Sequence, residues 1–73
     1  MKKAVLAFTD GYSLYQSVYP NYEEAKKAMD SQYNDYYDEE KDIDGDSYLD
    51  GYEARVVRTC EDIWFWNIIE VEV

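Results

Sequence analysis

The sequence contains no histidine, one cysteine, one proline and three glycines, and its seven lysines and arginines face 17 aspartates and glutamates in 73 residues. Each shortage removes a class of function. Without histidine there is no side chain whose ordinary pKa suits acid–base work near neutrality. Cys60 has no imidazole to draw off its proton, and no cysteine cluster is available to hold zinc. A single cysteine cannot bridge within the chain, so no disulfide framework is expected and a reducing, cytoplasmic setting fits. There is no glycine-rich phosphate loop. Carboxylate pairs alone would need a cleft that sets their pKa values apart, so no enzymatic role is expected. The cations Lys2, Lys3, Lys26, Lys27, Lys41, Arg55 and Arg58 are scattered, and without a basic patch direct binding to nucleic acid is not expected. The apolar run from Ala4 to Phe8 ends at Thr9-Asp10-Gly11, short of a signal-peptide core. No run approaches the ~20 residues that cross a bilayer, so no membrane association is expected.

What the chain does have is aromatic surface and negative charge. Nine tyrosines, two tryptophans and two phenylalanines supply large apolar area per residue, with a polar handle on each tyrosine. That matters because a chain of this length buries only roughly 60% of the surface it exposes when unfolded. A 47% apolar content argues for folding rather than disorder, and residues 1–73 are expected to form one acidic domain. The formal charge of −10 costs stability through self-repulsion. It also points to partners that are basic: cations, or a protein whose own site is built for nucleic acid.

The periodicities predict an α+β fold of two hairpins and a helix. Lys3 to Thr9 reads as a strand running into Asp10-Gly11, the dipeptide suited to a two-residue turn, with Tyr12 to Val18 as its partner. Pro20-Asn21 stops that strand, and Asn21 with Glu24 three residues on forms an N-terminal cap for a helix from Tyr22 to about Tyr37. Tyr22, Ala25, Ala28, Met29, Tyr33 and Tyr36 form its apolar stripe. Tyr52 to Thr59 and Ile63 to Val73 are β-rich and separated by the turn residues Cys60-Glu61-Asp62, giving a second hairpin. The expectation is a four-stranded antiparallel sheet in the order of elements β-β-α-β-β, with the helix packed on one face. Its expected core is Val5, Leu14, Ala25, Met29, Tyr33, Val56, Phe65 and Ile69. On the last strand Trp64, Trp66 and Ile68 share the opposite face, which a single helix cannot also cover. They are expected either beneath the acidic loop or in an exposed patch through which two copies dimerise.

The densest chemistry lies between Asn34 and Glu53, where Asp35, Asp38, Glu39, Glu40, Asp42, Asp44, Asp46, Asp50 and Glu53 face the single cation Lys41. Within it the twelve residues from Asp42 to Glu53 resemble the calcium loop of an EF-hand. Asp42, Asp44, Asp46, Asp50 and Glu53 stand at positions 1, 3, 5, 9 and 12, and the aliphatic Leu49 at position 8. Ser47 replaces the glycine of position 6, a glycine stands instead at position 4, and Ala54 to Thr59 favours a strand where an EF-hand has its exiting helix. Calcium is the one cofactor this pattern suggests, as an alternative to a chain with none.

A second reading treats the carboxylates as stand-ins for phosphates. Acids two apart on an extended chain lie roughly 6.6–6.8 Å apart on one side, a spacing on the scale of neighbouring phosphates. Asp42, Asp44 and Asp46 have that spacing, as do Glu70 and Glu72, and tyrosines interleaved with them suit stacking on arginine. In size and charge the chain resembles the small acidic decoys that phages make against restriction or CRISPR nucleases. The order of strand, Asp-Gly-Tyr-Ser turn, strand and a helix opening on Tyr-Glu-Glu-Ala, over residues 3 to 37, resembles antitoxins of the HicB kind, which neutralise a small basic RNase. Both resemblances imply a non-enzymatic inhibitor that occludes a basic, nucleic-acid-binding surface of a partner protein, as an anti-CRISPR or anti-restriction protein does. Tyr37, Asp38, Glu39, Glu40, Asp42, Asp44, Asp46, Tyr48 and Trp64 are the residues expected to meet that partner, the acids by steering and pairing and the rings as anchors.

Overall fold

The computed structural model describes residues 2–40, 45, 47–58 and 62–72. In chain order the elements are β1 (Lys2–Thr9), β2 (Leu14–Tyr19), α1 (Tyr22–Tyr36), β3 (Tyr48–Leu49), β4 (Glu53–Arg58) and β5 (Asp62–Glu72). The five strands form one antiparallel sheet in the order β2-β1-β5-β4-β3. The α+β class, the antiparallel sheet and the single helix on one face follow the expectation from sequence, whereas the strand count of four does not. The added strand is β3, which folds back on β4 so that Tyr48 faces Arg55 and Leu49 faces Ala54. Asp50 N–H donates to Glu53 O at 2.7 Å to close that turn. Tyr48-Leu49 is too short and too surrounded by acids to show as a strand, yet Asp50-Gly51 repeats the turn dipeptide of the first hairpin.

The first hairpin closes with a loop of four residues, not two: Thr9 pairs with Leu14. Asp10 explains the difference. Its carboxylate accepts from the backbone N–H groups of Tyr12 and Ser13, both at 2.9 Å, so the side chain takes over satisfaction that a tighter turn would have found in the ladder. Gly11, at φ 94°, supplies the left-handed backbone that other residues adopt at a cost. The helix starts as its cap predicts: Asn21 is extended and its side chain accepts from Glu24 N–H at 2.9 Å, a bond worth about 0.5–2 kcal/mol. Tyr37 turns out of helical space at ψ 132°, and no basic side chain occupies the last turn.

β5 is the central strand, bonded to β1 on one side and β4 on the other, and this accounts for apolar residues on both of its faces. The choice of which face α1 covers reverses the expectation. The buried core is Ala4, Leu6, Ala25, Met29, Ala54, Val56, Trp66 and Ile68. Ala25, Met29 and Val56 are where the pattern put them, and Tyr33 packs against this cluster. Val5, Leu14, Phe65 and Ile69 instead lie on the uncovered face, where Leu14 and Ile69 are 66% and 53% exposed. The physical reason is area and room. Trp66 offers more apolar surface than any residue of the other face, and Ala54, paired with it on β4, leaves room for its ring under the helix. Its indole N–H donates to Gln32 Oε1 at 2.9 Å, so burial leaves no polar atom of the ring unsatisfied. The face that carries Trp66 and Ile68 is therefore the one α1 covers, with Trp64 half-buried at its margin.

Candidate protein-binding surface

The pairing register brings one group of the chain's acids together at one end of the fold. β1 ends, β2 begins, β4 ends and β5 begins there, since Thr9 pairs with both Leu14 and Phe65, and Arg58 with Asp62. The C-terminus of α1 reaches the same end, because Tyr36 packs on Phe8 and Trp64 with ring centroids 5.8 and 5.0 Å apart. Asp10, Asp35, Asp38, Glu39, Glu40 and Asp62 are thus brought to one pole. Among the described residues Arg58 is its only cation, lying over the Trp64 ring at 5.5 Å. Asp38 shapes the chain leaving the helix by accepting from Glu40 N–H at 3.0 Å.

Aromatic rings run through this pole as a connected ladder: Tyr15 on Phe8 at 5.9 Å, Phe8 on Tyr36, Tyr36 on Trp64. Tyr37 stacks on Tyr33 at 5.4 Å and keeps 39% of its surface exposed. At the tip of the first hairpin Tyr12 is 97% exposed. Rings held by neighbours, with faces left to solvent, suit contact with guanidinium and ammonium groups at low entropic cost.

Of the residues singled out from sequence, Tyr37, Asp38, Glu39, Glu40 and Trp64 share this pole. Trp64 is half-buried, with Tyr36 packed on its ring and the Arg58 guanidinium over it. Tyr48 lies on the other side of the sheet, where it faces Arg55, whose guanidinium sits 5.2 Å above its ring. Its hydroxyl donates to Glu53 Oε2 at 3.2 Å, and burial, followed by that carboxylate, pushes its pKa up. Asp42, Asp44 and Asp46 lie outside the described residues. Asp10, Tyr12, Tyr15 and Asp62 belong to the pole and were not singled out. Only the hairpin register, which brings the start of β2 beside the end of the helix, could have added them.

The calcium reading rests on the same three undescribed aspartates together with Asp50 and Glu53. Asp50 accepts from Gly51 N–H at 2.6 Å, and Glu53 accepts from Tyr48 and, at 3.5 Å, from Asn67. Among the described residues no group of three acidic or other ligating side chains converges, and no pocket forms. No described helix is long and apolar enough to cross a membrane.

The N–H groups of Ser13 and then Tyr12 hold the pKa of Asp10 below the ordinary carboxylate range. A lowered folded-state pKa stabilises the fold above the unfolded value and stops doing so as the pH falls through the lowered one. Asp10→Asn keeps an acceptor for the turn but not the charge. Wild type is therefore expected to exceed this variant in urea midpoint at pH 7, with the gap closing below about pH 4. A gap that persists at pH 2 would mean that shape, not ionisation, is what the carboxylate supplies.

Compared with family models, with characterised proteins and with solved structures, the chain matches none.

Proposed function

We propose that this chain is a non-enzymatic binding protein that occludes a basic, nucleic-acid-binding surface of a partner protein. The observation that carries the reading is the pole itself, in which carboxylates from three separate parts of the chain surround a ladder of rings with one cation among the described residues. A solvating surface intersperses both signs of charge, whereas here the fold adds Asp10 and Asp62 to an acid run already concentrated in sequence. Such a pole accelerates encounter with a basic cleft and repels nucleic acid from the same approach. The rings then supply the short-range contacts that slow dissociation. An inhibitor of a restriction or CRISPR nuclease is the concrete form this takes, the carboxylates occupying positions where the nuclease expects phosphates.

The test is capture of partners from a bacterial lysate on the immobilised protein at low salt, followed by elution with excess duplex DNA. The expected result is retention of a nucleic-acid-binding protein that DNA releases. Retention of nothing specific, or of a partner that DNA cannot displace, would overturn the reading.

A further inference from the structure

The sheet ends on β3 at one edge and on β2 at the other, and the two edges are built differently. β3 is two residues long and runs into Asp50, a short and charged edge of the kind that resists further pairing. β2 has six residues, Leu14-Tyr-Gln-Ser-Val-Tyr19, and none is charged, although 33% of the chain is. It contains no proline, and it pairs with β1 without a bulge from Ala4 opposite Tyr19 to Thr9 opposite Leu14. Every residue of it but Tyr19 is exposed, with Leu14 and Val18 at 66%. Among the described residues no strand pairs with its outer side. A straight, uncharged edge of this length is a template for another strand, and β2 carries none of the devices that block one.

We propose that β2 of a second copy of this chain pairs antiparallel with β2 along this edge, joining the two sheets into one of ten strands. The two-fold axis is normal to the sheet and passes beside Gln16, so that Gln16 faces its own counterpart and every other contact occurs twice, as an isologous interface requires. Such an axis keeps each side chain on its own side of the sheet. Leu14 then faces Val18 of the second copy on the side away from α1, and Tyr15 faces Ser17 on the helix side, so the two most exposed aliphatic residues of the strand shield each other. An axis beside Ser17 would set Leu14 against Pro20, where the strand has ended. Charge selects a second copy as the occupant. A basic protein finds no carboxylate on this edge, whereas a chain of net charge −10 meets itself most cheaply where it has no charge. The start of β2 adjoins the acidic pole; at its other end Lys2, Lys3, Lys26 and Lys27 offset Glu23, Glu24, Glu70 and Glu72. Antiparallel pairing sets the pole of each copy beside the balanced end of the other, and the two poles lie at opposite ends of the joined sheet. One pair of strands buries less than the ~800 Å² per partner of a standard interface, so the dimer is expected to come apart on dilution.

Sedimentation equilibrium on the full chain over a range of concentrations tests this. Wild type is expected to approach twice the chain mass as its concentration rises. Gln16→Lys, which sets lysine against lysine on the edge, is expected to stay at one chain mass with an unchanged circular dichroism spectrum. Ile69→Lys, on the open face of the sheet and away from the edge, is expected to dimerise as wild type does. Oxidation reads the register: with Cys60→Ser in place, Gln16→Cys is expected to cross-link two chains, because directly opposed Cα atoms lie about 4.5–5.5 Å apart, within reach of a disulfide. Ser17→Cys, opposite Tyr15, is expected to cross-link far more slowly. A wild type that keeps one chain mass up to about 1 mM, a Gln16→Lys that still dimerises, an Ile69→Lys that does not, or a Ser17→Cys that cross-links as fast as Gln16→Cys overturns the proposal. Reversing Asp38, Glu39 and Glu40 is expected to leave the dimer in place, so failure of the dimer and failure of the acidic pole are read separately.

Discussion

Trp66→Ala is expected to leave the chain largely unfolded at room temperature, whereas Phe65→Ala, one residue earlier on the same strand, lowers the urea midpoint only modestly. Trp66 has no exposed surface and touches three rings, those of Phe8, Tyr33 and Tyr36, at centroid distances of 5.0, 6.5 and 5.7 Å. Removing a buried aromatic costs about 3–5 kcal/mol. A domain this small has a total stability near the lower end of the usual ~5–15 kcal/mol, so the loss takes most of what there is. The truncation also strands Gln32, whose carbonyl accepts the indole proton. Phe65 lies on the uncovered face, is already partly wet in the folded state, and leaves no closed cavity when truncated. The measurement is a pair of urea unfolding curves, compared at constant slope. If Phe65→Ala costs as much as Trp66→Ala, the helix packs on the other face of the sheet.

That comparison goes to the point at which sequence reasoning fails for this fold. Element types are local: Asn21 and Glu24 announce the helix start, and alternation over residues 63–73 announces a strand, because caps and pleats act between residues close in sequence. Which side of a strand is inside is a different question, answered by all the strands at once. On β5 both faces are apolar from Ile63 to Trp66, so alternation there carries no vote. The decisive residues were the small ones. Ala4, Ala25 and Ala54 are fully buried and belong to the same covered face as Trp66, which Ala54 pairs with directly. An alanine in a strand carries little weight as a hydrophobe, yet here each marks where the helix comes close. The acidic pole was half legible for a related reason. Asp38 to Glu40 stand out as a run, but Asp10 and Asp62 join them only through strand register, which the sequence pattern does not specify over such separations. β3 was missed because charge dominated its surroundings, although Asp50-Gly51 marked its turn.

Converting Asp38, Glu39 and Glu40 to lysine is expected to raise stability and abolish partner capture together. The last turn of α1 contains Asp35 and no basic residue, and Asp38, Glu39 and Glu40 follow directly, so negative charge crowds the negative end of the helix dipole. Each such placement is unfavourable by about 0.3–1 kcal/mol when unscreened, and the three reversals also lower a net charge of −10 that works against the compact state. Melting temperature at low salt should therefore rise, and the gain should shrink as salt is added, because exposed charges are screened over about 10 Å at 0.1 M. Binding should move the other way, with the association rate falling by ~10–10³-fold as electrostatic steering is lost. A residue whose replacement stabilises the fold while destroying binding is retained for the binding. If the triple reversal instead destabilises the chain, these carboxylates hold the fold through contacts of their own. If it leaves capture intact, the partner does not meet this pole, and the proposal that the acids replace phosphates fails.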